Sequence, residues 1–297
     1  MSKLIRGIVP ALCTPFDDDD NLAVDRVPGL IKSLLDANVA GFFVCGSTGE
    51  GQAMTVPERK QMAEAVIPEV AGAVPVMMHV GATTTENAVV LAKHAAETGA
   101  DAVSAIAPID APDDFDAALD HYSAIGEATD LPFYVYWFPS SGDRSMTAER
   151  FLEGMERVKN FVGFKFTDMN FYLFNRLVDS SGGRLNAITG PDEMCVAGMI
   201  MGSDGAVGST YNIMPRIFIE MHEAFHSGNI QAAMDAQVKA NRVLSVLIKV
   251  GTVSAIKQIL AWKGTPVGDT RAPRPRITDE GREILRQSLD AFDFDVV

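Results

Sequence analysis

Eight short apolar runs alternate with amphipathic stretches along the chain, and that alternation limits the possible folds more than any other feature. The runs fall at 7–15, 41–47, 74–81, 102–108, 132–138, 161–167, 185–190 and 205–210. They are short, bounded by Gly and Pro, and read as strands. Between them, 25–37, 57–70, 85–97, 115–128, 148–158, 172–180 and 193–201 carry apolar residues at helical spacing. Thr55 with Glu58, and Thr83 with Glu86, have capping-box spacing, and Pro57 suits a first helical turn. A strand followed by a helix, repeated eight times, is the count of an α/β (β/α)8 TIM barrel. The main rival is a doubly wound open sheet. It would usually carry a Gly-x-Gly-x-x-Gly turn after an early strand, and the chain has none.

Past the eighth run the texture changes. Helices are expected at 215–226, 230–250 and 252–263, then a Pro/Arg-rich connector at 265–276, then a helix from Thr278 with Asp279 and Glu280 in its first turn. The expected division is a catalytic barrel over 1–226 and a C-terminal helical subdomain over 227–297. With 297 residues, 47% of them hydrophobic, a sizeable core is available. A net charge of −14 argues against nucleic acid or an anionic membrane as partner, while leaving room for an anionic small molecule in a locally positive pocket. Cys13, Cys45 and Cys195 are widely spaced and read as small buried hydrophobes in a reducing compartment. No apolar leader or membrane-length run is present, so the expectation is a soluble cytoplasmic protein.

The run at 161–167, Phe-Val-Gly-Phe-Lys-Phe-Thr, carries the sharpest chemical signal. Alternation along a strand puts Val162, Phe164 and Phe166 on one face and Gly163, Lys165 and Thr167 on the other. That places an amine among small residues inside the protein. Burial disfavours the ammonium form, and a free amine is a nucleophile for carbonyl compounds. The plainer alternative is a lysine that snorkels to the strand end or pairs with a carboxylate. Reactive groups in such barrels gather at the C-terminal strand ends. Tyr136, which shares a face with Tyr134, falls there. So do Gly46-Ser47-Thr48-Gly49-Glu50, with amides and hydroxyls suited to a carboxylate, Gly190-Pro191-Asp192-Glu193, and Gly208-Ser209-Thr210-Tyr211-Asn212. Each alone reads as a turn, a cap or a core tyrosine. Together they converge on one rim.

His222-Glu223-Ala224-Phe225-His226 matches the H-E-x-x-H zinc motif and sets both imidazoles on one helix face. No His or Cys follows His226, and the next Glu is Glu280, so a third ligand is missing. His226 also abuts a Ser-Gly stop, where the helix dipole favours it. No metal site is expected, and a zinc metallopeptidase using His222, Glu223 and His226 is the alternative from a different class. His79, in an apolar strand, and His94 and His121, in helices, show no ligand spacing.

Taken together, these residues make the chain similar, over essentially its whole length, to the N-acetylneuraminate lyase and dihydrodipicolinate synthase family of lysine-dependent aldolases. The resemblance is carried by the 46–50 turn, the Tyr136-x-x-Pro139 turn, the Gly163-Phe-Lys165-Phe-Thr167 strand and the Gly268-x-x-Arg271-x-Pro273 connector. It implies a Schiff base between Lys165 and pyruvate or another 2-oxo acid, with no separate cofactor. It also implies proton relay by Tyr136, a carboxylate held by Ser47 and Thr48, and a homotetramer. Synthase members place an arginine two residues beyond the turn proline, where this chain has Ser141. Residues 190–193 and 205–212 look instead like the sialic acid lyase branch. There Asp192, Glu193 and Ser209 would hydrogen-bond a polyhydroxyl tail, with Thr167 and Gly190 as further sugar contacts. The activity so implied is reversible cleavage of N-acetylneuraminate to N-acetylmannosamine and pyruvate. The alternative is another pyruvate-dependent aldolase of the family, either dihydrodipicolinate synthase or a 2-keto-3-deoxy sugar acid aldolase. Two departures stand out. Asp110, within Pro108-Ile109-Asp110-Ala111, stands where many relatives carry aromatics, one of them a relay tyrosine crossing a subunit interface. Trp137 and Phe138 make the turn after Tyr136 bulkier, which trims the sugar pocket.

Overall fold

The computed structural model describes residues 3–108, 114–138, 145–292 and 294. Eight parallel strands form one sheet: β1 Gly7–Pro10, β2 Phe42–Val44, β3 Val76–His79, β4 Ala102–Ile106, β5 Phe133–Trp137, β6 Phe161–Phe166, β7 Asn186–Thr189 and β8 Gly205–Gly208. Their order is β1-β8-β7-β6-β5-β4-β3-β2. The sheet closes on itself where the Ala40 N–H donates to the Ile8 carbonyl at 2.8 Å and the Leu12 N–H to the Phe43 carbonyl at 2.9 Å. This is the barrel expected from the alternation. Strands are shorter than their apolar runs, because the runs continue into the rim loops; β1, expected to reach residue 15, ends at Pro10.

Closure gives each strand an inner and an outer face, which is why nearly every strand residue is buried. The inner face stacks Val9, Phe43, Met77, Tyr134, Tyr136, Ile188 and Val207 into the barrel's own core. The outer face packs beneath helices α1 Val27–Leu35, α2 Val56–Val70, α3 Thr85–Thr98, α4 Phe115–Ala128, α5 Ala148–Met155, α6 Phe171–Ser180, α7 Cys195–Ile200 and α8 Pro215–His226. The Thr55–Glu58 capping box opens α2 as expected. The second cap is Thr84 rather than Thr83: its hydroxyl accepts the Asn87 N–H, one residue later than the sequence spacing suggested. The stretch at 193–201 begins with a tight turn at Asp192–Met194, so α7 starts at Cys195.

One strand departs from simple alternation. Phe133 pairs with Phe161 but Tyr134 pairs with Gly163, leaving Val162 as an extra residue in β6. The bulge turns Val162 inward, against the expectation that it shares the outer face with Phe164 and Phe166. Phe161 takes the outer position instead and meets the Phe151 ring edge-on at 6.0 Å. Past the bulge the expected parity holds. Phe164 and Phe166 pack against Phe174 of α6, and Lys165 faces the barrel interior.

Among the described residues three further helices follow: α9 Ile230–Val250, α10 Thr252–Trp262 and α11 Asp279–Ala291. Their apolar residues, including Val243, Leu247, Ile256 and Leu285, join the same buried cluster as the barrel shell. Among the described residues no single helix is long and apolar enough to cross a membrane; α9 and α10 together are, but they meet at a 113° bend. Cys13, Cys45 and Cys195 are buried free thiols, as their spacing suggested.

Candidate active site

Lys165 sits near the end of β6 and is 4% exposed. Past the bulge at Val162, three residues earlier, strand alternation turns it inward. Its ammonium donates to the Thr167 hydroxyl at 2.8 Å and lies 3.8 Å from the centre of the Tyr136 ring. Among the described residues no carboxylate is ion-paired with it, so neither the snorkelling nor the carboxylate-paired alternative describes its surroundings.

Tyr136 ends the inner face of β5, beside Lys165 in the β5–β6 register, and is also 4% exposed. Burial pushes its hydroxyl up. The Lys165 charge and hydrogen bonds with Ser47, Lys165 and Thr167 outweigh that, and the net shift is downward. A phenol held this way gives up its proton more readily than a free one. Phe43 and His79 meet the Tyr136 ring edge-on at 5.8 and 5.7 Å and fix its plane.

The 46–50 turn leaves β2 and points Ser47 at Tyr136. The Thr48 and Ser209 hydroxyls meet at 2.6 Å, joining the loop after β2 to the loop after β8. Asp192, in the loop after β7, is buried and accepts from both the N–H and the hydroxyl of Thr210, at 2.8 and 2.7 Å. Burial pushes its carboxyl up to about 6 despite those donors, with Glu193 adding in the same direction and Lys165 opposing. Gly190 packs closely on the neighbouring strand end, since a Cβ there would stand 2.0 Å from the Thr167 hydroxyl. Thr167, Gly190, Asp192, Glu193 and Ser209 line one cleft of about 490 Å³, with Phe138, Met169, Leu244 and Ile248 on its apolar side. The Lys165–Thr167 and Thr48–Ser209 hydrogen bonds join this cleft to the group of Lys165, Tyr136, Ser47 and Thr48. Ile109–Ala111, including Asp110, and Pro139 and Ser141 lie outside the described residues.

Three groups of residues were given no part in the site by the sequence reading. His79 faces the interior beside Tyr136; burial first, then Arg59 and Lys165, hold its imidazole well below the usual histidine range. The Cys45 backbone approaches its ring, yet neither ring nitrogen completes a hydrogen bond. Its only sequence signal is its position two residues after Met77 on the inward parity of β3. Gln237 and Asn241 of α9 reach back to the acidic turn, donating to the carbonyls of Asp192 and Glu193 at 3.0 and 3.1 Å. The third group, Lys257 with Arg271 and Arg274, meets the 46–50 turn from behind.

The H-E-x-x-H stretch lies in α8, on the outer shell. Its imidazole centres lie 4.1 Å apart with the rings tilted by 34°, and His226 Nδ1 is engaged with the His222 carbonyl at 2.8 Å. Among the described residues, no group of three or more His, Cys, Asp or Glu side chains is placed to hold a metal.

The dihydrodipicolinate synthetase family model matches residues 4–292. The N-acetylneuraminate lyase of Mus musculus is 34% identical over 300 residues, covering 98% of this chain and 94% of that protein. The lyase of the same name from Rhizobium meliloti is 31% identical over 285 residues, covering 96% and 94%. Among solved structures, the Proteus mirabilis N-acetylneuraminate lyase superposes with a TM-score of 0.92 at 30% identity, covering 98% of this chain and 99% of that one.

Proposed function

The chain belongs to the dihydrodipicolinate synthetase family of carbon–carbon lyases, and from that premise we propose that it cleaves N-acetylneuraminate reversibly to N-acetylmannosamine and pyruvate. The observation that carries the reading is a buried lysine amine hydrogen-bonded to Thr167 and set 3.8 Å from the ring centre of a tyrosine whose hydroxyl is acidified. In this reading the Lys165 nitrogen attacks C2 of the open-chain 2-oxo acid. The carbinolamine loses water to give an iminium, the electron sink for the next step. The Tyr136 oxygen takes the proton from the C4 hydroxyl. The C3–C4 bond breaks, its electron pair passes into the iminium, and the sugar aldehyde leaves. Tyr136 returns its proton to C3 of the enamine, and hydrolysis frees pyruvate and Lys165.

Ser47 and Thr48 hold the carboxylate, and Thr167, Gly190, Asp192, Glu193 and Ser209 contact the hydroxylated tail. Support for the sugar over a smaller partner comes from the polar residues of the cleft. A buried carboxylate, a second carboxylate and two hydroxyls in one cleft match a chain of neighbouring hydroxyls. The reading extends to a homotetramer, which the family resemblance supports, and to a cytoplasmic protein, with which three buried free thiols agree. Release of pyruvate from N-acetylneuraminate tests the proposal. Activity is expected, with Tyr136→Phe lowering kcat by about 10²–10⁴ and KM little changed. Condensation of pyruvate with aspartate semialdehyde, and no pyruvate from the sugar, would replace this substrate with the synthase one.

A further inference from the structure

We propose that Arg274, Arg271 and Lys257 are positioning residues for the 2-oxo acid's carboxylate, acting at a distance by holding the backbone of the 46–50 turn. The inference rests on the reading above that Ser47 and Thr48 grip that carboxylate. The turn has no room to settle by itself. A Cβ on Gly49 would stand 2.7 Å from the Leu12 carbonyl, and one on Gly51 1.9 Å from the Cys45 carbonyl. Between them Glu50 has φ +54, a left-handed conformation that costs a residue with a Cβ about 1 kcal/mol or more unless its surroundings impose it.

The surroundings do impose it. The Glu50 carboxylate is fully buried, 2.7 Å from the Lys257 ammonium, itself 1% exposed, and it accepts the Arg271 N–H at 2.8 Å. Lys257 also donates to the Asp269 carbonyl at 2.9 Å. At the other end of the turn, the Arg274 guanidinium donates to the Ser47 carbonyl at 2.8 Å, across 227 positions of sequence. The Arg271 guanidinium ties the same assembly to the Ala53 carbonyl at 3.0 Å, the Glu58 carboxylate at 2.7 Å and the Asp20 carbonyl. Both ends of the turn are therefore set by the C-terminal part of the chain. A buried ion pair is a weak stabiliser compared with apolar residues of equal volume, so stability alone does not account for Glu50 and Lys257. What the arrangement does provide is a fixed heading for two hydroxyls: Ser47 toward Tyr136, and Thr48 toward Ser209. None of the three cations is among the residues assigned to the substrate.

Borohydride trapping of the Lys165 adduct, compared for pyruvate and for acetone, separates positioning from general support, because acetone has the ketone but no carboxylate. Arg274→Ala is expected to raise the pyruvate concentration for half-maximal trapping about tenfold, the loss of one charge-assisted hydrogen bond to the turn. The acetone dependence should stay within about twofold of wild type. Arg274→Lys, which keeps a cationic donor, should recover part of the pyruvate response. Equal weakening for both ketones, or no change for either, overturns the proposal. If Arg274→Ala does not fold, Arg274→Gln carries the same comparison. Wild-type enzyme that traps neither ketone would instead defeat the Schiff-base reading on which the inference stands.

Discussion

At the scale of single residues, Lys165, Tyr136, Thr48 and Asp192 are polar groups almost wholly removed from water. Asp192 makes the clearest prediction. Its carboxyl has a pKa of about 6 when folded, above the ordinary value of 3.8, so folding favours its protonated form. That contribution is fully present below about pH 4 and is lost as pH rises through about 6, a change on the order of 3 kcal/mol. Urea unfolding from pH 4 to 7 should therefore show wild type losing stability relative to Asp192→Asn as pH rises; parallel curves would contradict the assignment. Lys165 and Tyr136 were legible because strand parity alone sends them inward, and an inward lysine is chemically conspicuous. His79 was not: a single histidine on an apolar strand has no spacing to mark it, and only the folded barrel shows it against Tyr136.

At the scale of elements, the strand ends and the loops that leave them decide the geometry. The alternation of runs made the eight strands and their helices readable, but not the bulge at Val162, since an extra residue in a strand leaves no periodic trace. The shift of the α3 cap to Thr84 has a similar cause, with two adjacent threonines competing for one role. Loop packing is tight enough to test. Gly190→Ala would drive a methyl into the hydroxyl of Thr167, the hydrogen-bond partner of Lys165. The expected outcome is a loss of about 1–3 kcal/mol of stability and a kcat reduced by at least about tenfold, as Thr167 swings away. Stability and turnover measured on the same preparation check it, and unchanged turnover would show that Thr167 does not set the lysine.

At the scale of the whole molecule, the C-terminal helices finish both the core and the site. The −14 charge and the connector motif could be read from the sequence. The use of the connector could not, because its contacts span more than two hundred positions and follow no local pattern. A chain ending at residue 226 would lose Val243, Leu247, Ile256 and Leu285 from the shared cluster, along with Gln237, Asn241, Lys257, Arg271 and Arg274. It is expected to be unfolded by circular dichroism, whereas the full chain should unfold in one cooperative transition. A folded 1–226 fragment would show that the barrel stands alone. All of this turns on one amine condensing with one ketone. Incubation with pyruvate and borohydride, followed by peptide mass spectrometry, reads that event directly. The account predicts a reduced pyruvate adduct on Lys165, absent from Lys165→Ala; an unmodified Lys165, or an adduct on a different lysine, would contradict it.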